Sequence, residues 1–469
     1  MRVAALDQGT TSTRCLVFED GADWQLIGSI QHAQHYPHAG HVEHDGEELL
    51  ANLRTLLAQA GRIDAIGIAN QGESCLAWDA LTGAPLSPVI VWQDARTAES
   101  LASLPPDAAA RSRALCGLPL DPYFSASKLG WVLRNIPAAR TALAEGRLRL
   151  GTTDAFFLDR LCGVFATDAA TASRTGLLDL QTGQWSPELC ALHGVPPECL
   201  PEIRSVNGGF GSIGGVPVTT SIVDQQAALY GHGCRAPGDT KITFGTGAFL
   251  LTLAGENRPP QSDLLPTVAW RLHDAAPTYA LEGGVYDAGA ALEWARSLRL
   301  FDIMEELSDF EGPSALSRGL VCVPALSGLA APFWDRTAAP LFIGMSHGTT
   351  RQDMVRALLE GIAMLTSGLI AAAPTGASIT CDGGLSQSWY FAQFLASASG
   401  RTIIVPAMHE VTALGLAELC GVDVSFIRSQ TRVFHPDGTV SEADHQLFRK
   451  AVERARHWFT PPEGTATHD

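Results

Sequence analysis

Two glycine-rich hairpins, one near the start of each half of the sequence, carry residue types that bind phosphate. The first reads AALDQGTTSTRCLVF over residues 4–18, and the second reads ITFGTGAFLL over residues 242–251. In both, an apolar strand enters a turn of small residues and a second apolar strand leaves it. Glycine lets the backbone turn back tightly and leaves N–H groups free to face an oxyanion. One such turn is common in β-hairpins, but two in one long chain indicate an ATP clamp between two related domains.

Length and charge limit the other classes of function. A chain of 469 residues is too long for one ordinary core, so two or three domains are expected. The formal net charge of −17 makes nucleic acid and anionic membrane surfaces poor partners. If the protein binds an anionic nucleotide, local hydrogen-bond donors and a metal ion must hold it against the repulsion from the net negative charge of the protein.

The sequence also predicts where the protein resides. No run reaches the roughly 18 uncharged apolar residues of a membrane span, because the most apolar stretch, 358–374, contains Glu360. The N-terminus leads straight into a predicted strand and offers no signal peptide. Ten cysteines without CxxC spacing are typical of buried thiols rather than of a zinc site or disulfides. We therefore expect a cytoplasmic protein with no membrane span.

Polar residues follow several predicted strands of the first half. Segments 3–6, 15–19 and 24–29 read as an antiparallel meander, and a leucine stripe predicts a helix over 47–60. Buried strands over 63–69, 89–91 and 218–222 end at Asn70, Trp92 and Asp224, and a helix is expected over 225–230. Because open α/β sheets place ligands at the carboxyl ends of strands, we expect these side chains to line a site.

The domain boundary is predicted at the segment GHGCRAPGD, residues 231–239. Residues 1–231 then form an N-terminal domain, residues 240–460 form a C-terminal domain, and 461–469 are expected to be a disordered tail. In the second half we predict helices over 288–298, 351–372 and 411–419, a strand over 378–381, and a long loop through 340. Ser441 and Asp444 form a capping box that opens the last helix.

Ordered motifs along residues 1–425 resemble the FGGY carbohydrate kinases, and among them the glycerol kinases. In the first half they are ALDQGTTSTR (5–14), YPHAGHVEHD (36–45), IANQGESCLAWD (68–79), VIVWQDARTAE (89–99), GLPLDPYFSASKLGW (117–131), TDAATASRTGLLDL (167–180) and VDQQAALYG (223–231). In the second half they are FGTGAFLL (244–251), YALEGGVYDAGAALEW (279–294), SGLAAPFWD (327–335), CDGGLSQS (381–388) and EVTALGLA (410–417). The resemblance implies an α/β protein of two ribonuclease-H-like domains of the actin and hexokinase type, with ATP and a small polyol in the cleft between them.

The resemblance also implies which residues meet the nucleotide. Asp7 and Asp224 would hold hydrated Mg²⁺, which usually takes one or two carboxylates plus phosphate oxygens. Glu293 and Ser388 stand where glycerol kinases carry Gln and Asn, so their contacts with adenosine are less certain. The predicted ATP ligands are Thr10, Thr11, Ser12, Arg14, Gly245, Thr246, Glu293, Gly383, Gly384 and Ser388.

Asp224 is the candidate catalytic base. By local sequence alone, a carboxylate at the start of a helix is more readily explained by helix capping. Its position inside the VDQQAA motif favours the role of accepting the proton of the attacking hydroxyl. The residues implied for the polyol pocket are Glu73, Trp92, Tyr123, Asp224, Gln225 and Phe249.

Two departures from the family pattern bear on substrate and regulation. Glycerol kinases carry Arg where this chain has Gly72, so the pocket lacks a guanidinium unless Arg96 replaces it. A larger polyol or ketose with four or five carbons is therefore the alternative substrate. The uncharged Gly-rich segment 208–215 stands near the loop with which some bacterial glycerol kinases bind an inhibitory sugar bisphosphate, and it predicts the absence of that regulation.

A different class of function is a non-catalytic sensor that keeps the ATPase fold. Such a protein would be expected to have lost Asp7, Asp224 or the threonines of the hairpins, and all of them are present. The family resemblance leaves a homodimer or homotetramer open, since no interface can be identified from one chain.

Overall fold

A computed structural model describes residues 1–21 and 24–459 of the chain. The predicted disordered tail, 461–469, lies outside the described residues. The strands of the first half are β1 (Arg2–Gln8), β2 (Ser12–Glu19), β3 (Trp24–Gln31), β4 (Glu43–His44), β5 (Ala65–Asn70), β6 (Cys75–Asp79), β7 (Val89–Ile90), β8 (Leu148–Thr152), β9 (Ala166–Asp168), β10 (Leu178–Asp179), β11 (Gln184–Trp185), β12 (Glu202–Arg204), β13 (Ser212–Ile213) and β14 (Val216–Val223). Those of the second half are β15 (Thr240–Phe244), β16 (Ala248–Gly255), β17 (Leu265–Arg271), β18 (Pro277–Val285), β19 (Val321–Val323), β20 (Leu341–Ile343), β21 (Ser378–Gly383), β22 (Thr402–Pro406) and β23 (Thr431–Phe434).

Fifteen α-helices join and cover these strands in the described part of the chain. In the first half they are α1 (Gly46–Gln59), α2 (Ala98–Ala102), α3 (Ala108–Leu115), α4 (Ser125–Asn135), α5 (Pro137–Ala144), α6 (Thr153–Cys162), α7 (Ala169–Ser173), α8 (Pro187–His193) and α9 (Asp224–Gly231). In the second half they are α10 (Gly289–Ser297), α11 (Arg351–Ala372), α12 (Trp389–Ser399), α13 (Val411–Leu419), α14 (Ser425–Ser429) and α15 (Glu442–Ala455). Short 3₁₀ turns cover Pro197–Cys199, Met304–Leu307 and Gly384–Gln387.

The two halves contain sheets of the same topology. The first sheet runs β13-β14-β5-β1-β2-β3, with β1, β2 and β3 antiparallel and with β5 and β14 parallel to β1. The second runs β17-β18-β16-β15-β21-β22-β23, with β15, β16 and β18 antiparallel and with β21 and β22 parallel to β15. Three antiparallel strands followed by two parallel ones therefore recur in each half. The prediction of an α/β protein with two related domains is confirmed.

Each hairpin predicted to bind phosphate is the central hairpin of its sheet. Asp7 pairs with Arg14 across β1 and β2, and Phe244 pairs with Ala248 across β15 and β16. The turns therefore emerge at the same edge as the carboxyl ends of β5, β14 and β21, because these strands are parallel to β1 or β15. This shared edge in each half forms one wall of a cleft.

Helices α9 and α13 pack against each other where the two halves meet. A Cβ atom added at Gly415 of α13 would lie 1.9 Å from the carbonyl oxygen of Ala227 on α9, so only glycine permits this approach. Buried apolar side chains from both halves, among them Ile222, Leu229, Leu251, Leu414 and Leu416, form one continuous cluster here. The base of the cleft is thus a packed apolar contact.

Most predicted elements are present, with shifts of a few residues at their ends. The helices predicted over 351–372 and 411–419 are α11 and α13, and Ser441 and Asp444 form the predicted capping box before α15. The loop predicted through 340 contains the short strand β19. Three residues are too few for a periodic pattern to be read from the sequence.

Helix α11 is long and apolar enough to cross a membrane by length and composition. The search of the sequence for a run of roughly 18 uncharged apolar residues did not reveal this property, because Glu360 lies within the helix. Its most apolar window has a mean hydropathy of 1.5, and 83% of that window is buried inside the protein. Glu360 in its middle accepts hydrogen bonds from the N–H groups of Ala315 and Leu316. These features are typical of a core helix.

All ten cysteines lie in the described part of the chain, and none forms a disulfide. Nine are buried, and Cys162 is half-buried. Burial raises the pKa of thiols such as Cys15 and Cys75 to about 12, so they remain protonated at neutral pH. This agrees with the prediction of buried thiols.

Candidate functional site

A cavity of about 180 Å³ lies in the cleft between the two domains. It is bounded by the turn after β1, the ends of β5 and β14, the turn after β15, and the middle of β18. Its lining is Thr10, Gly72, Glu73, Trp92, Tyr123, Arg174, Val223, Asp224, Gln225, Gln226, Thr243, Gly245, Thr246, Phe249 and Glu282. All six residues predicted for the polyol pocket are among them.

Asp224 is the first residue of α9 and lies against this cavity. The N-cap position belongs to Val223, whose side chain makes no capping hydrogen bond, and Asp224 Oδ1 accepts only the adjacent N–H of Gln225, at 2.7 Å. Asp224 is therefore not the N-cap residue of α9, although its carboxylate accepts one N–H of the first turn. Burial and the nearby charge of Asp7 raise the pKa of Asp224 to about 7. A base with such a pKa is well matched to proton transfer near neutral pH.

Asp7, near the end of β1, is a second acidic group close to Asp224. Burial raises its pKa to about 6, with Arg14 opposing the increase and Glu410 adding to it. A bound cation would stabilise the charged form of two neighbouring carboxylates whose pKa values are raised. The described residues contain no cluster of three or more His, Cys, Asp or Glu side chains suited to a metal. Two carboxylates are a donor set that fits Mg²⁺, which usually takes one or two carboxylates and keeps several of its waters.

Trp92 and Tyr123 form the aromatic wall of the cavity. Their ring centroids are 5.5 Å apart in an edge-to-face arrangement, and Trp92 Nε1 donates to Thr10 Oγ1 at 3.0 Å. This hydrogen bond ties the polyol wall to the first phosphate turn. The same turn is closed by the N–H of Gly9, which donates to the carbonyl of Ser12. Thr11 is exposed at the tip.

Glu73 combines an unusual backbone conformation with a buried ion pair. Its φ is +57°, a region that non-glycine residues rarely adopt and that is often associated with functional sites. Its Oε1 accepts from Arg174 Nε at 2.7 Å, and both side chains are at most 5% exposed. Burial raises the pKa of Glu73 to about 7, against the opposing effect of Arg174.

Arg174 and Glu282 complete this cluster and were missed from the sequence. Arg174 Nη1 lies 2.8 Å from Glu282 Oε2, so one guanidinium links two carboxylates across the cavity floor. Arg174 comes from the segment after α7, and Glu282 comes from β18 of the other domain. Each is a charged residue whose immediate neighbours in the sequence are small or apolar, a signal that could have singled it out.

Lys241 is a second buried cation that the sequence reading did not single out. It is fully buried on β15, where its Nζ donates to Gln225 Oε1 and, at 2.8 Å, to Thr243 Oγ1. Because the carbonyl oxygen of Gln225 already accepts from Lys241, the amide N–H₂ is the part of this side chain that remains as a donor for a ligand. Lys241 also opposes the increase in the pKa of Asp224.

The space beside Gly72 is narrowed by Val223 and is not occupied by Arg96. A Cβ atom added at Gly72 would lie 3.0 Å from Val223 Cγ2. Arg96 is 2% exposed and pairs with Asp94 and Glu43, so the suggestion that it replaces the missing guanidinium is wrong. The guanidinium that does line the cavity is that of Arg174.

A second cavity, of about 370 Å³, opens beside the turn after β15. It is lined by Phe244, Gly245, Thr246, Gly289, Ala290, Leu292, Glu293, Met304, Gly384 and Leu385. Gly383 at its edge has a φ of +86°, and a Cβ atom there would lie 2.2 Å from the carbonyl oxygen of Phe244. The backbone at this point therefore requires glycine. The cavity has the apolar lining and the adjoining Gly/Thr turn that a nucleotide would use.

Three predicted nucleotide ligands have other partners in the structure. Arg14 Nη1 donates to Glu410 Oε2 at 2.9 Å instead of facing an open site. Ser388 is the N-cap of α12; its hydroxyl donates to the carbonyl of Leu307 at 2.6 Å and accepts from Phe391 N–H. The geometry therefore does not support an adenosine contact for Ser388, because its hydroxyl is buried and already used. Glu293 lies on the exposed rim and pairs with Arg296.

Comparison with known proteins agrees with this architecture. Residues 2–231 match the N-terminal domain, and residues 240–424 the C-terminal domain, of the FGGY family of carbohydrate kinases. The chain is 37% identical over 490 residues to glycerol kinase of Deinococcus radiodurans, covering 97% of this chain and 98% of the relative. It is 39% identical over 491 residues to glycerol kinase of Thermus brockianus, with the same coverage.

Solved structures give the same result. Glycerol kinase of Plasmodium falciparum with ADP superposes with a TM-score of 0.88 at 30% identity, covering 97% of this chain and 98% of that one. A xylulose kinase of Rhodospirillum rubrum has a TM-score of 0.82 at 24% identity, covering 96% and 97% of the two chains, and it supports the fold alone.

Proposed function

This chain belongs to the FGGY family of carbohydrate kinases, and we propose that it transfers the γ-phosphoryl group of ATP to a terminal hydroxyl of glycerol or a closely related small polyol. That it is a phosphotransferase follows from the family. The choice of acceptor and of residue roles is the proposal. One observation carries it: the carboxylate of Asp224 lines a cavity whose walls hold both a phosphate-type turn and a polyol-type lining.

Asp224 is the proposed general base. Phosphoryl transfer needs an oriented hydroxyl, an in-line γ-phosphate and stabilisation of the developing charge. The carboxylate of Asp224 accepts the proton as the acceptor hydroxyl attacks, and its raised pKa of about 7 makes this transfer favourable near neutral pH.

The acceptor is oriented by groups that already have partners. Glu73 and the amide of Gln225 bind hydroxyls, and their own positions are set by Arg174 and Lys241. Trp92, Tyr123 and Phe249 face the carbon skeleton. Side chains held in this way keep the reacting hydroxyl near its attack position, which is a large part of what a kinase contributes.

The nucleotide would lie between the two Gly/Thr turns, with its adenosine in the cavity beside Gly384 and Leu385. Thr10, Ser12 and the backbone of Gly245 and Thr246 would donate to phosphate oxygens. Asp7 and Asp224 are the residues that would hold Mg²⁺, which neutralises phosphate charge when it is bound. Closure of the domains over both substrates would exclude the water that could otherwise hydrolyse ATP. The ten unpaired thiols support action in the cytoplasm.

The test is ADP release from MgATP with a panel of glycerol, dihydroxyacetone, tetritols, pentitols and pentuloses. Polyol-dependent ADP release that is lost in Asp224→Ala, and lost without Mg²⁺, is the expected result. A thermal shift with MgATP and polyol but no ADP release by the wild-type protein would mean a sensor instead of a kinase.

A further inference from the structure

A histidine recurs at every third position between residues 32 and 44, and none of the roles proposed above uses this pattern. The segment reads HAQHYPHAGHVEH, and it holds five of the fourteen histidines of the chain. Short histidine-rich segments are typical of metal binding, because neutral imidazole is a good ligand for Zn²⁺, Cu²⁺ and Ni²⁺. The structure brings four of the five rings together in two pairs, which are His32 with His44 and His38 with His41.

The pair of His32 and His44 lies against the first phosphate turn. The two ring centroids are 4.7 Å apart in an edge-to-face arrangement. His32 follows strand β3, and its Nε2 is 2.9 Å from the carbonyl oxygen of Thr10 in that turn. Since a carbonyl only accepts, Nε2 carries the proton of the neutral ring and Nδ1 carries the lone pair. A metal-binding histidine is usually held in this way, with its second nitrogen donating to a carbonyl or carboxylate oxygen.

Each ring of this pair has a buried nitrogen that lacks a hydrogen-bond partner within residues 1–21 and 24–459. These atoms are Nδ1 of His32 and Nε2 of His44. His44 is only 1% exposed, and a buried polar atom without a partner is unfavourable. Burial lowers the pKa of His44 to about 3 and also lowers the pKa of His32. Both rings are therefore neutral at pH 7, which is the form that binds a metal ion.

The charges around the two pairs favour a cation at the first of them. Glu48, in the first turn of α1, accepts at 3.4 Å from the N–H of the residue that follows His32, and its charge acts to raise the pKa of His32. A carboxylate in this position attracts a cation. The other pair, His38 and His41, has ring centroids 5.1 Å apart, but the guanidinium of Arg96 acts with burial to lower the pKa of His41. A positive charge beside that pair repels a cation.

We propose that Nδ1 of His32 and Nε2 of His44 bind one divalent cation of the class that prefers imidazole, such as Zn²⁺, with water or Glu48 in its remaining positions. Coordination through Nε2 places the proton of His44 on Nδ1. That atom lies 3.2 Å from the amide nitrogen of Gln71, and half a turn of the amide presents an oxygen to accept the proton. Two histidines are fewer than the three side chains of a preformed cluster, which agrees with the described residues holding none.

The proposed site is distinct from the carboxylate pair of Asp7 and Asp224, because carboxylates suit Mg²⁺ and imidazoles suit Zn²⁺. It is nevertheless linked to the phosphate turn. His32 holds the carbonyl oxygen of Thr10, and Trp92 holds the hydroxyl of the same residue. A cation bound to His32 therefore fixes the ring that holds the turn.

The test is calorimetric titration of Zn²⁺ into the full-length protein after treatment with EDTA. Excess Mg²⁺ occupies the sites made of oxygen ligands, and nucleotide is left out. We expect one Zn²⁺ to bind per chain, and His32→Asn to weaken this binding about ten-fold or more. His44→Asn should do the same, but the half-buried His32 is the deciding position because a change at the buried His44 can impair folding, which circular dichroism detects.

The matched control is the double variant His38→Asn/His41→Asn, which removes two imidazoles from the same segment and should leave Zn²⁺ affinity unchanged. Glu48→Gln should weaken binding by less than His32→Asn does, since it removes only a charge. Glu47→Gln removes the same charge one residue earlier, where the carboxylate pairs with Arg160, and should have a smaller effect than Glu48→Gln.

Co²⁺ serves as a spectroscopic probe of the ligands. Binding at the two histidines should give a visible absorption without a charge-transfer band from thiolate to cobalt. Binding at a cysteine, such as the half-buried Cys162, would produce that band and would count against the proposal.

Three further results would overturn the inference. One is that no Zn²⁺ binds in excess Mg²⁺, so that the two nitrogens simply hold a buried water. Another is that His32→Asn folds and keeps the wild-type affinity. The third is that His38→Asn/His41→Asn loses as much affinity as His32→Asn does. None of these measurements uses turnover, so their outcome is independent of whether the kinase proposal is correct.

Discussion

The guanidinium of Arg14, on the N-terminal side of the cleft, lies 2.9 Å from the carboxylate of Glu410 on the C-terminal side. Arg14 was predicted to bind phosphate, and in this structure it binds a carboxylate of the opposite domain. A nucleotide phosphate that accepts from Arg14 Nη1 would therefore compete with Glu410. Glu410 also adds to the negative potential at Asp7, whose pKa it helps to raise.

Replacing Glu410 with Gln should strengthen nucleotide binding. The variant removes a competing carboxylate and one negative charge near the phosphates. Since a partly exposed ion pair contributes about 0.2–1 kcal/mol, KM for MgATP should fall about two- to five-fold. Initial rates measured at increasing MgATP concentration, with the acceptor saturating, give this KM.

Glu418→Gln is the matched control for this change, because Glu418 lies in the helix that begins after Glu410 and pairs with Arg235 and Arg428 away from the cavity. A rise in KM for Glu410→Gln would instead mean that the ion pair holds the domains in the arrangement that binds ATP.

Asp224→Asn should abolish turnover without loss of the fold. Asn keeps the shape of the side chain but cannot accept the proton, so kcat should fall by a factor of about 10²–10⁴. Polyol-dependent ADP release measures the loss, and circular dichroism checks the fold. A variant that keeps more than a tenth of the wild-type kcat would exclude Asp224 as the base.

The same variant should change how thermal stability depends on pH. The pKa of Asp224 in the folded protein is raised to about 7 from an ordinary value of 3.8. A carboxyl group with a raised pKa stabilises the fold below its unfolded pKa, and this contribution is lost as pH rises toward 7. Asn has no such titration. Without nucleotide and metal, the Tm of Asp224→Asn should therefore exceed that of the wild type by an amount that grows from pH 5 to pH 8.

Between pH 5 and pH 8, the free energy of unfolding of the wild type should fall relative to that of Asp224→Asn by at most about 3 kcal/mol, since each unit of pKa shift corresponds to about 1.36 kcal/mol. Differential scanning calorimetry at matched ionic strength gives both curves. A Tm difference that stays constant with pH would mean that the carboxylate titrates near its ordinary value.

Restoring a guanidinium at position 72 should need a second change. The Cβ of a new side chain would crowd Val223 Cγ2 at 3.0 Å, so Gly72→Arg alone is expected to destabilise the site by about 1–3 kcal/mol. The double variant Gly72→Arg/Val223→Gly removes the conflict. Its kcat/KM for glycerol, relative to a five-carbon acceptor, should rise about ten-fold because the new guanidinium binds glycerol hydroxyls.

Gly72→Ala/Val223→Gly is the control for that experiment, since it opens the same space without adding a guanidinium. If it shifts acceptor preference as much as the arginine variant does, space and not hydrogen bonding governs the choice.

Fructose 1,6-bisphosphate should not inhibit the enzyme at millimolar concentration. The segment 208–215 contains no basic residue, and Arg204, which donates to the carbonyl of Gly209 at 3.1 Å, is already paired with Glu202 at 2.7 Å. A bisphosphate thus meets no unpaired cation from these residues. Rates with and without the compound, at equal ionic strength, test this; a saturable loss of activity would contradict it.

The positions of the strand ends could be predicted from the sequence because the determining interactions are local. Apolar runs that stop at Asn70 and Asp224 predict strands that end at a site, and the Gly/Thr turns predict hairpins. Helices α11 and α13 could be bounded because an apolar periodic stretch with a capping residue or a following glycine specifies its own ends. The three-residue strand β19 has no such pattern.

What the sequence by itself determined is the family, the two-domain α/β architecture and the six residues of the predicted polyol pocket that line the cavity. What only the tertiary structure decided is how charged side chains from distant segments pair: Arg174 with Glu73 and Glu282, Lys241 with Gln225, Arg14 with Glu410, and Arg96 away from the cavity. The reason is physical. Secondary structure and motifs depend on neighbours along the chain, whereas a buried charge is stabilised by whichever opposite charge or acceptor the fold brings within about 3 Å of it.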